Sequence, residues 1–205
     1  AAQPGEREAL HAQLAEELER VDGAQFHPVD VTLVTPPWNF PVAIPTGSAL
    51  AALAAGSAVI FKPAAEAQRC GAVIAEALWE AGVPREVLQL VQVDEKAHGR
   101  QLVSAPEIDR VILTGAYETA ELFRSFRPDL QLFGETSGKN SIIVTPHADL
   151  DLAVKDVVQS AFGHAGQKCS AASLVIFVGA AGKSERLRTQ LLDACLLYTS
   201  PSPRD

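Results

Sequence analysis

Short apolar segments rich in β-branched residues alternate along the chain with amphipathic segments of roughly ten to fifteen residues. Two of the apolar segments, SAVIF (57–61) and LVIFV (174–178), are almost continuously apolar, as strands covered on both faces of a sheet are. Alternation of such strands with helices predicts βαβ units. The sequence therefore predicts an α/β fold built on a parallel sheet.

The individual elements follow from periodicity and from the prolines and glycines that bound them. We predict strands over 29–36, 57–63, 87–93, 109–115, 129–135, 141–145 and 174–179, and helices over 6–21, 45–55, 66–80, 96–104, 117–126, 150–162 and 183–194. Ligands of open α/β sheets bind beyond the carboxyl ends of the strands. The dinucleotide fingerprint G-x-G-x-x-G does not occur in the sequence, so this pattern alone leaves the ligand unspecified.

Composition narrows the classes of function. Of the 205 residues 47% are hydrophobic and 20% charged, which is ordinary for a globular protein with a core. A net charge of −8 argues against binding to nucleic acids or to anionic membrane surfaces. No apolar run reaches transmembrane length. The three widely spaced cysteines, Cys70, Cys169 and Cys195, form neither a disulfide framework nor a metal site, so we expect no metal and a cytoplasmic location.

The ends of the chain have an unusual character. The sequence contains no methionine and opens on AAQPGEREAL, and the last stretch, CLLYTSPSPRD (195–205), follows a helical pattern with a short Ser/Pro tract. We interpret the chain as an internal fragment whose residues 195–205 are a non-native tail. No function is therefore assigned to Cys195 or Tyr198.

A cysteine and a glutamate stand out as candidates for chemistry. Cys169 lies among small and polar residues in GHAGQKCSAAS (163–173), which favours an accessible thiol, and Glu135 opens ETSGKN (135–140). A thiol nucleophile with a carboxylate base is the minimum for covalent catalysis followed by hydrolysis. Glu135 is equally compatible with a cap or a salt-bridge partner.

Further candidates follow predicted strands, and each has a structural alternative. Asn39, in TPPWNFP (35–41), either directs its amide at an oxyanion or bonds its own backbone in a proline-rich turn. Lys62 is a ligand for ribose or phosphate, or a solvated residue at a strand end. Glu66 accepts from a ribose hydroxyl, or favours a helix start through the helix dipole. Gly115 separates a strand from a helix, where a pyrophosphate can bind free N–H groups.

The order of these motifs is more specific than any one of them. TPPWNFP, FKP, LTG, ETSGKN and GQKCSA follow one another as they do in the aldehyde dehydrogenase superfamily, which the chain resembles over roughly residues 5–194. The resemblance is strongest to the glutamate-semialdehyde (pyrroline-5-carboxylate) dehydrogenase branch, including the module of bifunctional proline utilization A proteins. GHAGQKCSAAS, RPDLQLFGETSGKN and VTPPWNFPVAIP carry it.

The resemblance implies a domain organisation and partners. We expect a Rossmann-type NAD-binding domain over 1–134, without its N-terminal part, and the start of an α/β catalytic domain over 135–194. The family implies a small-molecule aldehyde substrate and a homo-oligomeric parent protein. FAD belongs to the parent only if a proline dehydrogenase domain precedes this segment. A piece of this length is expected to be inactive by itself.

The resemblance also implies roles for particular residues. Cys169 is the nucleophile, Glu135 the base that activates water, and Asn39 the oxyanion donor together with the Cys169 amide. Cofactor contacts are expected from Lys62 on the adenosine ribose and Gly115 beside the pyrophosphate, with further contacts from Glu66, Trp38 and Thr136. Ser170 is placed to contact the substrate carboxylate.

The reaction so implied is oxidation of L-glutamate γ-semialdehyde to L-glutamate through a cysteine thioester, the second step of proline catabolism. A different aldehyde, a CoA-acylating relative and an inactive fragment of the fold remain alternatives. Two departures from the family pattern affect the cofactor. Ala116 lacks the hydroxyl usual after the TG pair, and Ala65 stands where an acid often follows the FKP lysine. Both departures affect the affinity for the cofactor and not the chemistry. Glu66 favours NAD over NADP by repelling a 2′-phosphate only if it reaches the ribose, so selection between the two dinucleotides is left open.

Overall fold

The computed structural model describes residues 4–21, 23 and 25–199, and the chain forms two compact units divided after Thr136. The boundary predicted from the sequence, between residues 134 and 135, falls inside the last strand of the first unit. Assignment of the units to cofactor binding and catalysis stays a prediction.

The first unit contains five parallel strands in the order β3-β2-β1-β4-β5. They are β1 (Val31–Thr35), β2 (Ala58–Phe61), β3 (Leu88–Leu90), β4 (Arg110–Gly115) and β5 (Gln131–Thr136). The helices are α1 (Pro4–Glu19), α2 (Ala43–Ala54), α3 (Gln68–Glu80), α4 (Glu95–Ser104) and α5 (Tyr117–Phe126). The predicted α/β fold with a parallel sheet is confirmed.

The central strand β1 supplies side chains to both faces of this sheet. Leu33 and Val34 are both fully buried, and because successive strand residues point to opposite faces they enter different cores. Val34 packs in the cluster formed with residues of α2 and α3, whereas Leu33 packs in the cluster formed with residues of α4 and α5. The apolar run of β1 is therefore explained by helices on both sides.

A buried polar pair lies at the amino end of the sheet. Thr32 and Ser57 are 1% and 2% exposed, and their hydroxyl oxygens lie 2.8 Å apart in a hydrogen bond. Buried hydroxyls carry a desolvation cost unless they are paired, so each satisfies the other. The bond also ties β1 to the residue that precedes β2.

The second unit contains a two-stranded parallel sheet of β6 (Ser141–Val144) and β7 (Leu174–Phe177), with the helices α6 (Leu150–Phe162) and α7 (Glu185–Thr199). Asp151 of α6 accepts hydrogen bonds from Arg186 and Gln190 of α7 at 2.7 and 2.8 Å. The bonds from Gln190 and Arg186 hold the pKa of Asp151 below its ordinary value. They join the two helices at the surface.

The segment interpreted as a non-native tail is only partly described. Residues 195–199 continue α7, and residues 200–205 lie outside the described residues. Whether the segment is native stays a prediction. Within the described part of the chain, no helix combines the length and apolar character needed to cross a membrane.

Helix α3 approaches the end of β2 closely, at Gly71. A Cβ atom at this position would lie 2.1 Å from Cγ and 2.7 Å from Cβ of Pro63, which is buried and follows Lys62 directly. Side-chain carbon atoms never pack this closely, so glycine is required here for the helix to reach the segment. The contact fixes the path of the chain that carries Lys62.

This packing predicts opposite effects of two Gly→Ala substitutions inside helices. Gly71→Ala should lower the free energy of unfolding by about 1–3 kcal/mol through overpacking against Pro63. Gly99→Ala in α4 should raise it by about 0.5–1 kcal/mol, because its Cβ would meet only Glu95 Cβ at 3.8 Å. Urea unfolding of both variants measures the difference. Equal stabilisation by the two substitutions would contradict the close contact.

Candidate active site and cofactor site

The candidate residues of the first unit lie at one edge of its sheet. Because all five strands are parallel, their carboxyl ends meet at the same edge. Lys62 follows β2, Gly115 ends β4, and Thr136 ends β5, where it is paired in register with Gly115. Strand order reverses between β1 and β4, the place where open α/β sheets bind ligands. The segment containing Asn39 follows β1 at this point.

Lys62 is held by a carboxylate that the sequence analysis did not identify. Its ammonium Nζ lies 2.5 Å from Oε1 of Glu95, the first residue of α4, and its side chain is only 14% exposed. Glu95 is 60% exposed. Glu66, the acid predicted to accept from a ribose hydroxyl, lies exposed in a 3₁₀ turn over Ala65–Ala67. An ammonium group has three donors, so the bond to Glu95 leaves capacity for a ligand.

The signal for Glu95 in the sequence is an acidic residue that follows a strand and opens a helix. Asp94 caps this helix by accepting from the N–H groups of Lys96 and Ala97 at 2.9 and 3.3 Å. The cap fixes where α4 begins and therefore where the Glu95 side chain starts. Glu95 lies 33 residues after Lys62 in the sequence, and no local pattern predicts a contact over that separation.

The turn from β4 to α5 leaves room beside the backbone. A Cβ atom at Gly115 would meet only Leu113 Cδ1, at 3.7 Å, so the chain itself does not require glycine there. Ala116 is the N-cap residue of α5 and provides no side-chain hydrogen bond to the first turn. Free N–H groups at a helix start attract anions. These features fit the pyrophosphate of a dinucleotide.

The remaining candidates of the first unit differ in exposure. Trp38 is 48% exposed, whereas Asn39 is half-buried. Glu135 is exposed on the edge strand β5, next to half-buried Thr136. The glutamate is therefore accessible to water within its unit. The predicted roles of these four residues stay predictions.

Cys169 lies in the second unit, on a tight turn after α6. The Ala171 N–H donates to the Lys168 carbonyl at 3.1 Å, so Cys169 and Ser170 occupy the two central positions of a four-residue turn. Both central residues are exposed. Cys70 and Cys195 also form no disulfide, but both are half-buried. Cys169 is therefore the exposed thiol among the three.

A left-handed segment leads into this turn. His164, Ala165 and Gly166 have φ angles of 58°, 53° and 70°. Left-handed backbone costs a residue with a Cβ atom roughly 1–2 kcal/mol, and runs of it are rare. A Cβ atom at Gly166 would also lie 3.0 Å from the Ala161 carbonyl oxygen. The chain thus carries strain immediately before its exposed cysteine.

The fold defines the class of protein: an α/β protein whose central sheet is parallel and covered by helices on both faces. Residues 5–192 match the model of the aldehyde dehydrogenase family. The chain belongs to this family, and the resemblance derived from the motifs is confirmed.

Three similar proteins extend this result. The N-succinylglutamate 5-semialdehyde dehydrogenase of Erwinia tasmaniensis is 38% identical over 85% of the chain, which spans 36% of that relative. The structure of proline utilization A from Corynebacterium freiburgense is 52% identical, with a TM-score of 0.79, over 92% of this chain and 19% of that one. A Thermus 1-pyrroline-5-carboxylate dehydrogenase with bound NAD is 32% identical, with a TM-score of 0.75, over 94% and 40%.

The left-handed segment predicts substitutions of opposite sign at neighbouring positions. Gly166→Ala should destabilise the protein by about 1–2 kcal/mol, since it adds left-handed strain and a close contact with Ala161. Ala165→Gly should be neutral or stabilising by up to about 1 kcal/mol, because relief of strain outweighs the added freedom of the unfolded chain. Denaturant unfolding checks both. A loss of stability in Ala165→Gly as large as in Gly166→Ala would contradict the backbone geometry.

Proposed function

We propose that the chain is part of an NAD-dependent aldehyde dehydrogenase that oxidises L-glutamate γ-semialdehyde to L-glutamate through a thioester on Cys169. The observation that carries this proposal is the exposed free thiol of Cys169 at the centre of a hydrogen-bonded turn, in a chain that belongs to this family. Because the chain spans only part of its relatives, the activity is proposed for the full-length polypeptide.

The substrate is proposed from two lines of support. The motif GHAGQKCSAAS is typical of the glutamate-semialdehyde branch, and Ser170, which we expect to contact the substrate carboxylate, is exposed beside Cys169. Of the similar proteins, one is named for N-succinylglutamate 5-semialdehyde, another for 1-pyrroline-5-carboxylate, and a third is proline utilization A. An aldehyde with a carboxylate at its far end is the substrate class that these features favour.

The proposed chemistry assigns one task to each residue. The Cys169 thiolate adds to the aldehyde carbon, and the carbonyl oxygen becomes an oxyanion. The Asn39 amide and the Cys169 N–H donate to that oxygen, a kind of interaction worth about 3 kcal/mol per donor. When NAD is bound, its nicotinamide ring supplies the acceptor for the hydride that leaves this carbon. Loss of the hydride restores the carbonyl double bond and leaves the carbon as a thioester on Cys169. Glu135 then removes a proton from water, which attacks this thioester and releases the acid and the thiolate.

The cofactor is proposed to bind at the carboxyl edge of the first unit's sheet. Lys62 and Glu95 would hold the adenosine ribose, Gly115 and the start of α5 the pyrophosphate, and Trp38 and Thr136 would provide further contacts. The bond of 2.5 Å between Lys62 and Glu95 supports the first of these roles, because a carboxylate beside the lysine accepts from a ribose hydroxyl. The Glu95 carboxylate would also repel a 2′-phosphate, which favours NAD over NADP.

Hydrolysis is favoured over transfer of the acyl group to a thiol such as CoA. Thiol acceptors need no activated water, whereas an exposed carboxylate at Glu135 is suited to activating one. None of the three cysteines forms a disulfide in the described part of the chain, which favours a reducing compartment, and we propose the cytoplasm.

The assigned roles predict different kinetic defects at two positions. In the full-length polypeptide with NAD and glutamate γ-semialdehyde, Glu135→Gln should retain a burst of NADH while steady-state turnover falls by about 10²–10⁴-fold, since only hydrolysis needs the base. Cys169→Ala should lose both phases, and Cys70→Ala, which removes a half-buried thiol, is the control. Stopped-flow absorbance of NADH measures the burst. Loss of the burst in both Glu135→Gln and Cys169→Ala would contradict the roles.

The pairing of Lys62 predicts which acid selects the cofactor. Glu95→Gln should raise affinity for NADP relative to NAD by about tenfold, equivalent to removing roughly 1.4 kcal/mol of repulsion from the 2′-phosphate. Glu66→Gln removes an equal charge from the neighbouring 3₁₀ turn and should change the ratio by less than about twofold. Equilibrium binding of both dinucleotides gives the ratio. A larger effect of Glu66→Gln than of Glu95→Gln would contradict the role of Glu95 and return cofactor selection to Glu66, the acid expected from the sequence.

A further inference from the structure

The side chain of Asn140 connects the end of the ETSGKN motif to the turn that carries Cys169. Its Nδ2 donates to the carbonyl oxygen of Cys169 at 2.5 Å and to that of Ala171 at 3.1 Å. Both partners are carbonyl oxygens, so the nitrogen of the carboxamide must face them. A primary amide has two N–H groups, and this turn uses both.

The backbone of Asn140 is anchored independently of its side chain. Its carbonyl oxygen accepts from the N–H groups of Ser173 and Leu174 at 3.0 and 3.1 Å. The next residue, Ser141, begins β6 and is paired in register with Leu174 of β7. Asn140 is therefore held at the start of a parallel strand pair, and its side chain extends from this anchor to the turn.

Three carbonyl groups of the turn are consequently held in place. The Lys168 carbonyl accepts from the Ala171 N–H, and the carbonyls of Cys169 and Ala171 accept from Asn140. A trans peptide is planar, with its N–H opposite its C=O, so fixing the Lys168 and Cys169 carbonyls also fixes the N–H directions of Cys169 and Ser170. Both peptides that flank the Cys169 Cα are thereby set, which restricts the position of the Sγ atom.

We propose that Asn140 is a positioning residue for the nucleophile. It holds the turn so that the Cys169 thiol and the Cys169 N–H keep a constant relation to each other. The kinetic consequence rests on the proposed function, in which the thiol attacks a carbonyl carbon and the N–H receives the oxyanion of the same group. An error of about 1 Å in such an arrangement costs up to about 100-fold in rate.

Two variants separate this role from simple filling of space. Asn140→Asp has the same size but replaces the donor group by a carboxylate oxygen that faces two carbonyl oxygens. Asn140→Ala removes the side chain and leaves the backbone anchor to Ser173 and Leu174. Lys139→Gln changes the adjacent exposed residue and is the matched control. Val144→Ala, at a 2% exposed position of β6, loosens the same unit without touching the turn.

Hydrogen exchange of individual amides in this chain tests the placement without any catalysis. In Asn140→Ala and Asn140→Asp, exchange of the Ala171 amide should accelerate about tenfold, a free-energy change of about 1.4 kcal/mol. Exchange of the Val178 amide, which donates to the Val144 carbonyl at 2.9 Å, should stay unchanged. Val144→Ala should show the reverse pattern, and Lys139→Gln should change neither amide. An unchanged Ala171 amide in both Asn140 variants would overturn the proposal.

The kinetic measurement is made in the full-length polypeptide. Both Asn140 variants should slow the NADH burst by about 10–100-fold while the dissociation constant of NAD stays within about twofold. A slowing that Val144→Ala reproduces would assign the effect to lost stability and contradict a positioning role. A wild-type protein without a burst would contradict the proposed function. Hydrogen exchange of the Ala171 amide tests the placement of Asn140 independently of that function.

Discussion

Parallel pairing of β1 with both β2 and β4 is the constraint on which the first unit depends. Leu33 and Val34 are buried on opposite faces of this strand, so the sheet is stable only with helices on both sides. Helices α2 and α3 cover one face, and α4 and α5 cover the other. The reversal of strand order that results opens the carboxyl edge between β1 and β4 to a ligand.

The second unit depends on a different local constraint. Its two strands are parallel, so the chain must travel from the end of β6 back to the start of β7 through α6 and the cysteine turn. The strained residues His164 and Ala165 and the turn at Cys169 all lie in this return path. Asn140 precedes β6 directly, and Cys169 lies a few residues before β7. The pairing of Ser141 with Leu174 brings the first residues of these two strands together. The topology thus explains why one amide can hold this turn.

Most elements were predictable because their signals are local. Strands β1, β4 and β6 and helices α4, α5 and α6 agree with their predicted ranges to within two residues at each end. The strand predicted over 57–63 is shorter and ends at Phe61. The Lys62 N–H still donates to the Val34 carbonyl of β1, but Pro63 has no N–H with which to continue the ladder. The helix predicted over 66–80 is divided, with a 3₁₀ turn over Ala65–Ala67 before α3.

The features that sequence reasoning missed are all long-range or conformational. Glu95 reaches Lys62, and Asn140 reaches Cys169, across 33 and 29 residues, and neither distance has a periodic signature. The motif GHAGQKCSAAS indicated a turn through its glycines, yet left-handed backbone also falls on His164 and Ala165. Local propensity argues against that conformation, so it is maintained by the surrounding structure. Each missed feature lies at a residue that adjoins the candidate chemistry.

The most direct test of the account is the location of the acyl intermediate. The full-length Glu135→Gln polypeptide, mixed with NAD and glutamate γ-semialdehyde and quenched in acid, should carry one acyl group on the peptide that contains Cys169, as peptide mass spectrometry would detect. The account predicts this adduct and its absence from Cys70 and Cys195. NADH formation without an adduct on Cys169, or an adduct on another side chain, would contradict the assignment of Cys169 as the nucleophile.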